Sequence, residues 1–252
     1  MAYVSDLTKR MLGPSGVEFC RMAVWRAAAF RLQCVLALPF LPLRVKSRYL
    51  IADLLREGLT LVSERRLQNL ADVCTEESLP AGAFVECGVA KGGCVALMSF
   101  LARGKRRSVW GFDSFEGMPA LTDTDENDGQ QWVGYRCSGP EGLAEAQRTL
   151  SRIAGNTDNT RLIPGWFETT LPIHVSQVGS IAVLRLDNDW YESTRFCLET
   201  LYDRVAPGGY VLVDDYFTFV GCRKAVDEFR SQRAITADLV TIDAASEVLW
   251  RK

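Results

Sequence analysis

Two adjacent carboxylates, Asp214 and Asp215, directly follow an aliphatic run in the stretch VLVDDYF. A third acid, Asp187, ends the aliphatic stretch SIAVLRLD in the same way. Hard oxygen ligands of this kind suit Mg²⁺ or Ca²⁺ and do not suit zinc. The alternative is that each acid caps the helix after it, which explains one acid at a strand end but not a pair. The pattern therefore favours a divalent-metal site formed by these three residues.

A second group of candidate residues follows two other apolar runs. Glu86 and Gly88 open the stretch ECGVAKGG, and Asp113 ends SVWGFD. The glycines fit neither the P-loop, GxxxxGK[ST], nor the dinucleotide motif GxGxxG. They allow a small ligand to approach the backbone, while Glu86 is able to bind an ammonium group and Asp113 is able to accept two hydrogen bonds from a ribose. These features favour a ligand with an amino-acid cation and a ribose but no phosphate, a description that S-adenosylmethionine fits.

The elements that must position these acids alternate between strand and helix. Strands are predicted over 82–88, 108–113, 160–165, 180–187 and 209–215, with a closing hairpin over 234–252. Helices are predicted over 92–103, 141–153, 192–205 and 222–230. This alternation indicates an α/β fold, with a mostly parallel seven-stranded sheet covered by helices on both faces. All the acids then meet at the carboxyl ends of the strands, where such sheets bind ligands. Because the acids would repel one another, we expect a cation among them, and no run of basic residues lies nearby.

The N-terminal region has the pattern of helices. Apolar residues recur at intervals of three and four over 47–77, with an interruption near Gly58. The segment 19–45 is strongly apolar, but its spaced arginines and its prolines disfavour a membrane span. We predict an amphipathic helix there that packs on the domain or on a second subunit; the alternative is a helix that lies on a membrane surface. The predicted regions are therefore a helical segment, 1–78, for oligomerisation, substrate cover or membrane-surface contact, and a ligand-binding domain, 79–252.

The composition is that of an ordinary globular enzyme. A formal net charge of -2 argues against a nucleic-acid-binding protein, because that affinity depends on an excess of lysine and arginine. The eight cysteines are scattered without a CxxC pair, and we predict that they are reduced in a cytoplasmic protein. The polar first residues predict no cleavable secretory signal. The single histidine, His174, is expected to have a surface or capping role.

A polar, acidic stretch over 116–139 separates the second strand from the next helix. Loops of this length within a compact domain are usually either functional or disordered. The stretch contains Trp132 and Tyr135, and we predict that it closes over the bound ligands and excludes water. A disordered loop without such a role is the alternative.

Several longer motifs resemble those of the macrocin O-methyltransferase family, whose members methylate sugar hydroxyls in antibiotic biosynthesis. The motifs are FVECGVAKGG, VWGFDSFEGMP, GWFETTLP, LRLDNDWYEST, LYDRVAPGGYVLVDDY and CRKAVDEFR, and the resemblance extends from about residue 57 to residue 252. It implies a class I, Rossmann-like methyltransferase domain that uses S-adenosylmethionine and Mg²⁺. A more distant similarity connects the chain to catechol-type O-methyltransferases.

The resemblance also implies which residues bind the cofactor. They are Glu86, Gly88, Val89, Gly92, Asp113, Ser114, Gly165, Trp166 and Asp187. The residues after the first strand would hold the methionine part of the cofactor. Asp113 and Ser114 would face the ribose, while Gly165 and Trp166 would lie near the adenine.

The same resemblance matches Asp187, Asp214 and Asp215 to the metal ligands. It makes Asp187 the candidate catalytic residue, which assists deprotonation of the acceptor directly or by orienting it. Where the family usually has Asp-Gly-Asp-Leu-Tyr, Asn188 and Trp190 replace the glycine and the leucine. Trp190 also stands where catechol enzymes have a lysine base. These departures leave open an acceptor other than a macrolide sugar.

The predicted function is magnesium-dependent transfer of a methyl group from S-adenosylmethionine to a hydroxyl of a sugar or of a glycosylated natural product. The alternatives are a non-sugar or lipid-linked acceptor, a noncatalytic S-adenosylmethionine-binding protein and a dinucleotide-dependent oxidoreductase. The intact metal-site acids oppose the noncatalytic protein, and the missing GxGxxG opposes the oxidoreductase. The expected partners are a small-molecule acceptor and further copies of the chain in a homo-oligomer, with no nucleic acid.

Overall fold

The structure of the protein is a computed structural model that describes residues 41–125, 129–137, 141–243 and 246–252. The chain divides into two compact units, 1–49 and 50–252. In the first unit the described residues, 41–49, contain the start of helix α1 (Leu43–Arg56). None of the helices within the described ranges has the length and apolar character needed to cross a membrane.

A seven-stranded sheet forms the centre of the second unit. Its strands are β1 (Ala83–Cys87), β2 (Val109–Asp113), β3 (Thr160–Pro164), β4 (Ile181–Leu186), β5 (Val205–Val213), β6 (Val240–Thr241) and β7 (Val248–Arg251). Their order in the sheet is β3-β2-β1-β4-β5-β7-β6. Strands β1 to β5 are parallel, and β7 is antiparallel to both β5 and β6. This topology confirms the predicted fold class.

Helices cover the sheet in two layers. They are α2 (Glu64–Thr75), α3 (Gly93–Ala102), α4 (Leu143–Ala154), α5 (Phe167–Val178), α6 (Tyr191–Leu201) and α7 (Val220–Gln232). Helices α2, α3 and α4 pack together, and α5, α6 and α7 form the second layer. In β1, Val85 and Cys87 point into the core shared with α5–α7, so Phe84 and Glu86 point towards the other layer.

The central strands are buried at every residue, which explains their near-continuous aliphatic sequences. Two charged residues interrupt this pattern, Glu86 in β1 and Arg185 in β4. They are register partners on adjacent strands, and their side chains therefore share one face of the sheet. The strand sequences thus bring one acid and one base together beneath the carboxyl ends of the strands.

The sequence around His174 predicts a loop or a short helix, whereas the structure has the twelve-residue helix α5 there, with Pro172 inside it. Proline removes one helical hydrogen bond, and in isolation it disfavours a helix. Here Leu171 and Val178 are buried in the core against the sheet, and this burial compensates for the proline. His174 lies on this helix beside the ring of Trp110, with 6.1 Å between the ring centroids.

Residues 50–78 belong to the same compact unit as the sheet, although we assigned them to the segment 1–78. The predicted interruption near Gly58 is the connection between α1 and α2. Most of the apolar segment 19–45 lies outside the described residues. Its role in oligomerisation or membrane-surface contact therefore stays a prediction.

Candidate active site

A cavity of about 640 Å³ opens at the carboxyl ends of the parallel strands. Most of the predicted cofactor and metal residues line it: Glu86, Gly88, Val89, Asp113, Ser114, Trp166, Asp187, Asp214 and Asp215. The remaining two, Gly92 and Gly165, do not. Gly92 is the N-cap of α3, and Gly165 lies between β3 and α5. The sheet order explains the convergence, because β1 lies beside β4 and β4 lies beside β5.

The turn after β1 requires glycine at position 88. Its φ is +93°, and a Cβ atom there would lie 1.7 Å from the carbonyl oxygen of Asp187. The two segments are this close because sheet pairing continues beyond the strands, with the Asp187 N–H donating to the Cys87 carbonyl at 2.8 Å. The loop predicted to hold the methionine part is therefore in direct backbone contact with the first metal-site acid.

Asp113 organises the loop that follows β1. Its Oδ2 accepts hydrogen bonds from the N–H groups of Val89 and Ala90 at 2.7 and 2.9 Å. Its Oδ1 accepts from the Phe115 N–H at 2.7 Å. A carboxylate has about four lone-pair positions and three are used here, so about one remains for a ribose hydroxyl, fewer than the two hydrogen bonds that we predicted.

The other predicted nucleoside-binding residues lie on the same side of the cavity. The Ser114 hydroxyl accepts from the Glu116 N–H at 3.1 Å. Trp166 is the N-cap of α5, and its residue surface is 37% exposed. A partly exposed indole in a cavity wall provides an apolar surface on which a planar ring is able to stack.

The three predicted metal-site acids converge. Asp187, Asp214 and Asp215 each contribute a carboxylate oxygen, and these oxygens lie within 4.8 Å of one another. Asp214 and Asp215 are buried. The buried Oδ2 of Asp215 has no hydrogen-bond partner among the described residues. A buried carboxylate oxygen without a donor is costly, and a bound cation removes that cost.

Arg185 is a cation that we expected among the acids but did not identify from the sequence. Its guanidinium donates to Glu86 Oε1 at 2.8 Å, to Asp187 Oδ2 at 2.7 Å and to Asp214 Oδ1 at 2.7 Å. The side chain is 1% exposed. Burial raises the pKa of Glu86 to about 8, against the opposing charge of Arg185. The sequence did contain a signal for this contact: Arg185 and Asp187 are two residues apart along a strand, so their side chains point to the same face of the sheet.

A second arginine reaches the acids from α2. Arg66 Nη1 donates to Asp214 Oδ2 and, at 3.0 Å, to the Ser246 hydroxyl. The two carboxylate oxygens of Asp214 are therefore bound by two different arginines. No local pattern predicts this contact, because the two residues are 148 positions apart.

The acids around these arginines have raised pKa values. Burial, and then the charge of Asp187, raises the pKa of Asp214 to about 6 against the two arginines. The same two causes raise the pKa of Asp189 to about 8. Burial and the charge of Asp189 raise the pKa of Asp215 well above its ordinary range. Asp189 also lines the cavity, although we did not single it out from the sequence.

Helix capping does not account for Asp187. The N-terminus of α6 is capped by Asp125, whose Oδ1 accepts from the Tyr191 N–H at 2.8 Å. Helix α7 has Phe219 at its N-cap position, where no side-chain capping bond forms. Among the described helices, the one that follows Asp187 is thus capped by a residue from a different loop.

Comparison with known proteins places the fold and the site in context. The sequence profile described as Macrocin-O-methyltransferase (TylF) matches residues 22–252. The chain belongs to the macrocin O-methyltransferase family. The demethyldecarbamoylnovobiocin O-methyltransferase of Streptomyces niveus is 36% identical over 203 residues, which cover 77% of this chain and 75% of that protein. The mycinamicin III 3''-O-methyltransferase of Micromonospora griseorubida is also 36% identical over 203 residues, covering 77% and 78%.

Solved structures agree with membership of the macrocin O-methyltransferase family. The O-methyltransferase NovP is 36% identical, with a TM-score of 0.68 over 77% of this chain and 81% of NovP. The calicheamicin methyltransferase CalS11 shares the fold at 21% identity, with a TM-score of 0.61 over 90% and 91% of the two chains. The family's members are S-adenosylmethionine-dependent O-methyltransferases, and so is this chain. The oxidoreductase and noncatalytic alternatives are therefore not supported.

Proposed function

We propose that this enzyme methylates a hydroxyl of a sugar, free or attached to a natural product, and that Asp187, Asp214 and Asp215 hold a Mg²⁺ ion for the reaction. The observation that carries the proposal is the convergence of three carboxylates within 4.8 Å in the wall of the cofactor cavity. The names of the relatives support a glycosylated acceptor. One relative, from Streptomyces olivaceus and 36% identical over 200 residues, is named as the 4'-O-methyltransferase of a rhamnosyl tetracenomycin.

The two halves of the cavity would bind the two substrates. Glu86 and the Gly88 turn would hold the methionine part of the cofactor, Asp113 the ribose, and Trp166 the adenine. These residues lie at or just after the carboxyl ends of β1, β2 and β3, whereas the metal-site acids follow β4 and β5. The acceptor hydroxyl would therefore approach the cofactor from the β4–β5 side.

The donor set fits Mg²⁺. All three ligands are hard oxygens, and the buried Oδ2 of Asp215 accepts no hydrogen bond from the described residues. When bound, the ion would lower the pKa of a hydroxyl that it chelates. Arg185 fixes the orientation of Asp187 and Asp214 by holding one oxygen of each. The second oxygen of Asp214 is held by Arg66, which is 14% exposed, so a metal ion at Asp214 has to share an oxygen with a guanidinium or displace Arg66.

Asp187 remains our candidate for assisting deprotonation of the acceptor. Asp189 is a second carboxylate two residues further along the same cavity wall. A carboxylate that holds a cation is a weaker base than a neighbour that does not. We therefore assign orientation of the hydroxyl to Asp187 and acceptance of the proton to the ionised form of Asp189, which a pKa of about 8 makes the minor form at neutral pH.

Titration calorimetry of the metal-free protein tests the proposal. Wild type should bind S-adenosylhomocysteine and Mg²⁺, whereas Asp214→Asn should bind Mg²⁺ at least about tenfold more weakly and should change the affinity for S-adenosylhomocysteine by a smaller factor. The matched control is Asp203→Asn, because Asp203 is an exposed acid that pairs with Arg233 on the surface. Asp189→Asn should keep Mg²⁺ binding and lose methyl transfer to a panel of glycosides. Full methyl transfer in EDTA would rule out the metal mechanism.

A further inference from the structure

The segment between β2 and α4 is anchored to the half of the cavity that carries the metal-site acids. We define its described residues, 114–125 and 129–137, as the wall segment. From the sequence, we predicted that this stretch closes over bound ligands. Its contacts lead to the connections between β4 and α6 and between β5 and α7 and to the first turns of these helices, and they join it to the body of the domain at two places.

The first anchor is Trp190. Its indole N–H donates to the Pro119 carbonyl at 3.1 Å, and the residue is 2% exposed. Its ring packs edge to face on Phe219, with 4.9 Å between the ring centroids. Gly129 lies so close that a Cβ atom there would be 2.5 Å from the indole ring. Trp190 thus contacts both described parts of the wall segment.

The second anchor is Asp125, which is 1% exposed. Its Oδ1 caps α6 through the Tyr191 N–H at 2.8 Å. Its Oδ2 accepts from the N–H and the hydroxyl of Thr122 at 2.9 and 2.8 Å. Gly221 in α7 provides the space, because a Cβ atom at that position would lie 1.9 Å from Asp125 Oδ1. One carboxylate therefore connects the wall segment to the start of α6 and to α7.

The two parts of the wall segment are also joined to each other. The Gly134 N–H donates to the Met118 carbonyl at 2.9 Å, and the Met118 N–H donates to the Tyr135 carbonyl at 3.1 Å. Arg136 Nε donates to the Glu116 carbonyl at 2.9 Å. Because these two backbone hydrogen bonds join the two parts, the contact at Pro119 also restrains the part of the wall segment that carries Arg136.

We propose that Trp190 and Asp125 are positioning residues that hold the wall segment as a fixed boundary of the acceptor pocket, so that it limits acceptor size whether or not the cofactor is bound. That this pocket binds the acceptor rests on the proposed function, whereas the anchoring of the wall segment does not. Trp132 and Tyr135 lie on this wall, 38% and 44% exposed, and offer apolar ring surface to the acceptor. Trp190 replaces the leucine of the family pattern, and a leucine side chain has no N–H to donate to Pro119.

Limited trypsin digestion of the full-length protein without ligands tests the anchoring. Arg136 is the single lysine or arginine between positions 116 and 139, so the fragment that begins at Cys137 reports opening of the wall segment. When opening is fast, the cleavage rate follows the open population. Trp190→Phe keeps a ring but loses the N–H, and cleavage should rise about fivefold. Asp125→Ala should raise it by at least tenfold, and Asp125→Asn by less, because the amide oxygen still accepts from the Tyr191 N–H.

Gly221→Ala is the sharpest variant. Alanine within a helix usually stabilises it relative to glycine, yet here the methyl group would displace Asp125, so cleavage at Arg136 should rise. Urea unfolding of each variant shows that the domain stays folded. Titration with S-adenosylhomocysteine should give a dissociation constant within about twofold of wild type, since the anchors lie on the β4–β5 side.

Three results would overturn the proposal. The first is rapid cleavage of ligand-free wild type at Arg136, with protection only after S-adenosylhomocysteine is added, which would mean a closing lid. The second is unchanged cleavage in both Trp190→Phe and Gly221→Ala. The third is a large loss of S-adenosylhomocysteine affinity in these folded variants, which would assign the wall to the cofactor half. Absence of methyl transfer to glycosides would count against the proposed function and would leave the cleavage result standing.

Discussion

Replacement of Arg185 by methionine should destabilise the protein by about 4 kcal/mol. The change removes one guanidinium from three carboxylates, of which Glu86 is able to take up a proton near neutral pH because its pKa is about 8. The main loss is therefore the pair of bonds to Asp187 and Asp214, both 2.7 Å long. Hydrogen bonds to charged groups contribute roughly 1.5–3 kcal/mol each. Breaking a buried ion pair from one side costs roughly 3–5 kcal/mol, which agrees with that sum.

Urea unfolding at pH 7.5 in EDTA, followed by tryptophan fluorescence, measures this loss. The matched control is Arg161→Met, since Arg161 is exposed and lies over the Trp110 ring at 4.9 Å; it should cost less than about 1 kcal/mol. Arg185→Lys should lie between the two, because an ammonium group keeps the charge but not the planar fork of donors. A loss below about 1 kcal/mol for Arg185→Met would show that the buried arginine does not stabilise the fold.

Two further predictions concern a close contact at Gly88 and the buried carboxyl of Glu247. Gly88→Ala should abolish S-adenosylhomocysteine binding or folding, because its Cβ would lie 1.7 Å from the Asp187 carbonyl oxygen. The control is Gly179→Ala, where φ is also positive but no atom lies within 4 Å of the added Cβ; it should lower the free energy of unfolding by only roughly 1–2 kcal/mol. Equal thermal stability of the two variants would refute the steric argument. Burial raises the pKa of Glu247 to about 8, so the native state binds its proton more tightly than the unfolded chain and stability falls as pH rises from about 4.5 to about 8. Glu247→Gln keeps an acceptor for the Asn69 amide but cannot ionise. Its free energy of unfolding, measured by urea titration, should therefore rise relative to that of wild type by a few kcal/mol as the pH is raised from 5 to 8.5. The same pH dependence in both proteins would contradict the raised pKa of Glu247.

The positions of the three acids that we propose as metal ligands could be predicted because they follow from chain direction. Asp187 and the Asp214–Asp215 pair each come directly after an aliphatic strand, and parallel strands end at one edge of the sheet. That rule needs only a local pattern. It does not give the side-chain partners of the acids. We therefore expected a cation among them but did not identify it as Arg185.

The missed features depend on tertiary contacts. Arg66 lies in a helix that has no local reason to meet Asp214, and its contact requires α2 to pack beside the strand ends. Helix α5 contains Pro172, and only the burial of its apolar face decides its conformation. Trp190 was noted as a departure from the family pattern, but its hydrogen bond to Pro119 depends on the course of a long polar segment that has no periodicity to read.

The guanidinium of Arg185 has a consequence for ligand binding. It connects Glu86, which we propose binds the cofactor, to Asp187 and Asp214, which we propose bind Mg²⁺. A change in charge at one end of this bridge alters how strongly the arginine is held at the other end. With these assignments, we expect binding of the cofactor and of Mg²⁺ to be thermodynamically linked through this one buried side chain. By reciprocity, any factor by which Mg²⁺ changes the affinity for the cofactor is also the factor by which the cofactor changes the affinity for Mg²⁺.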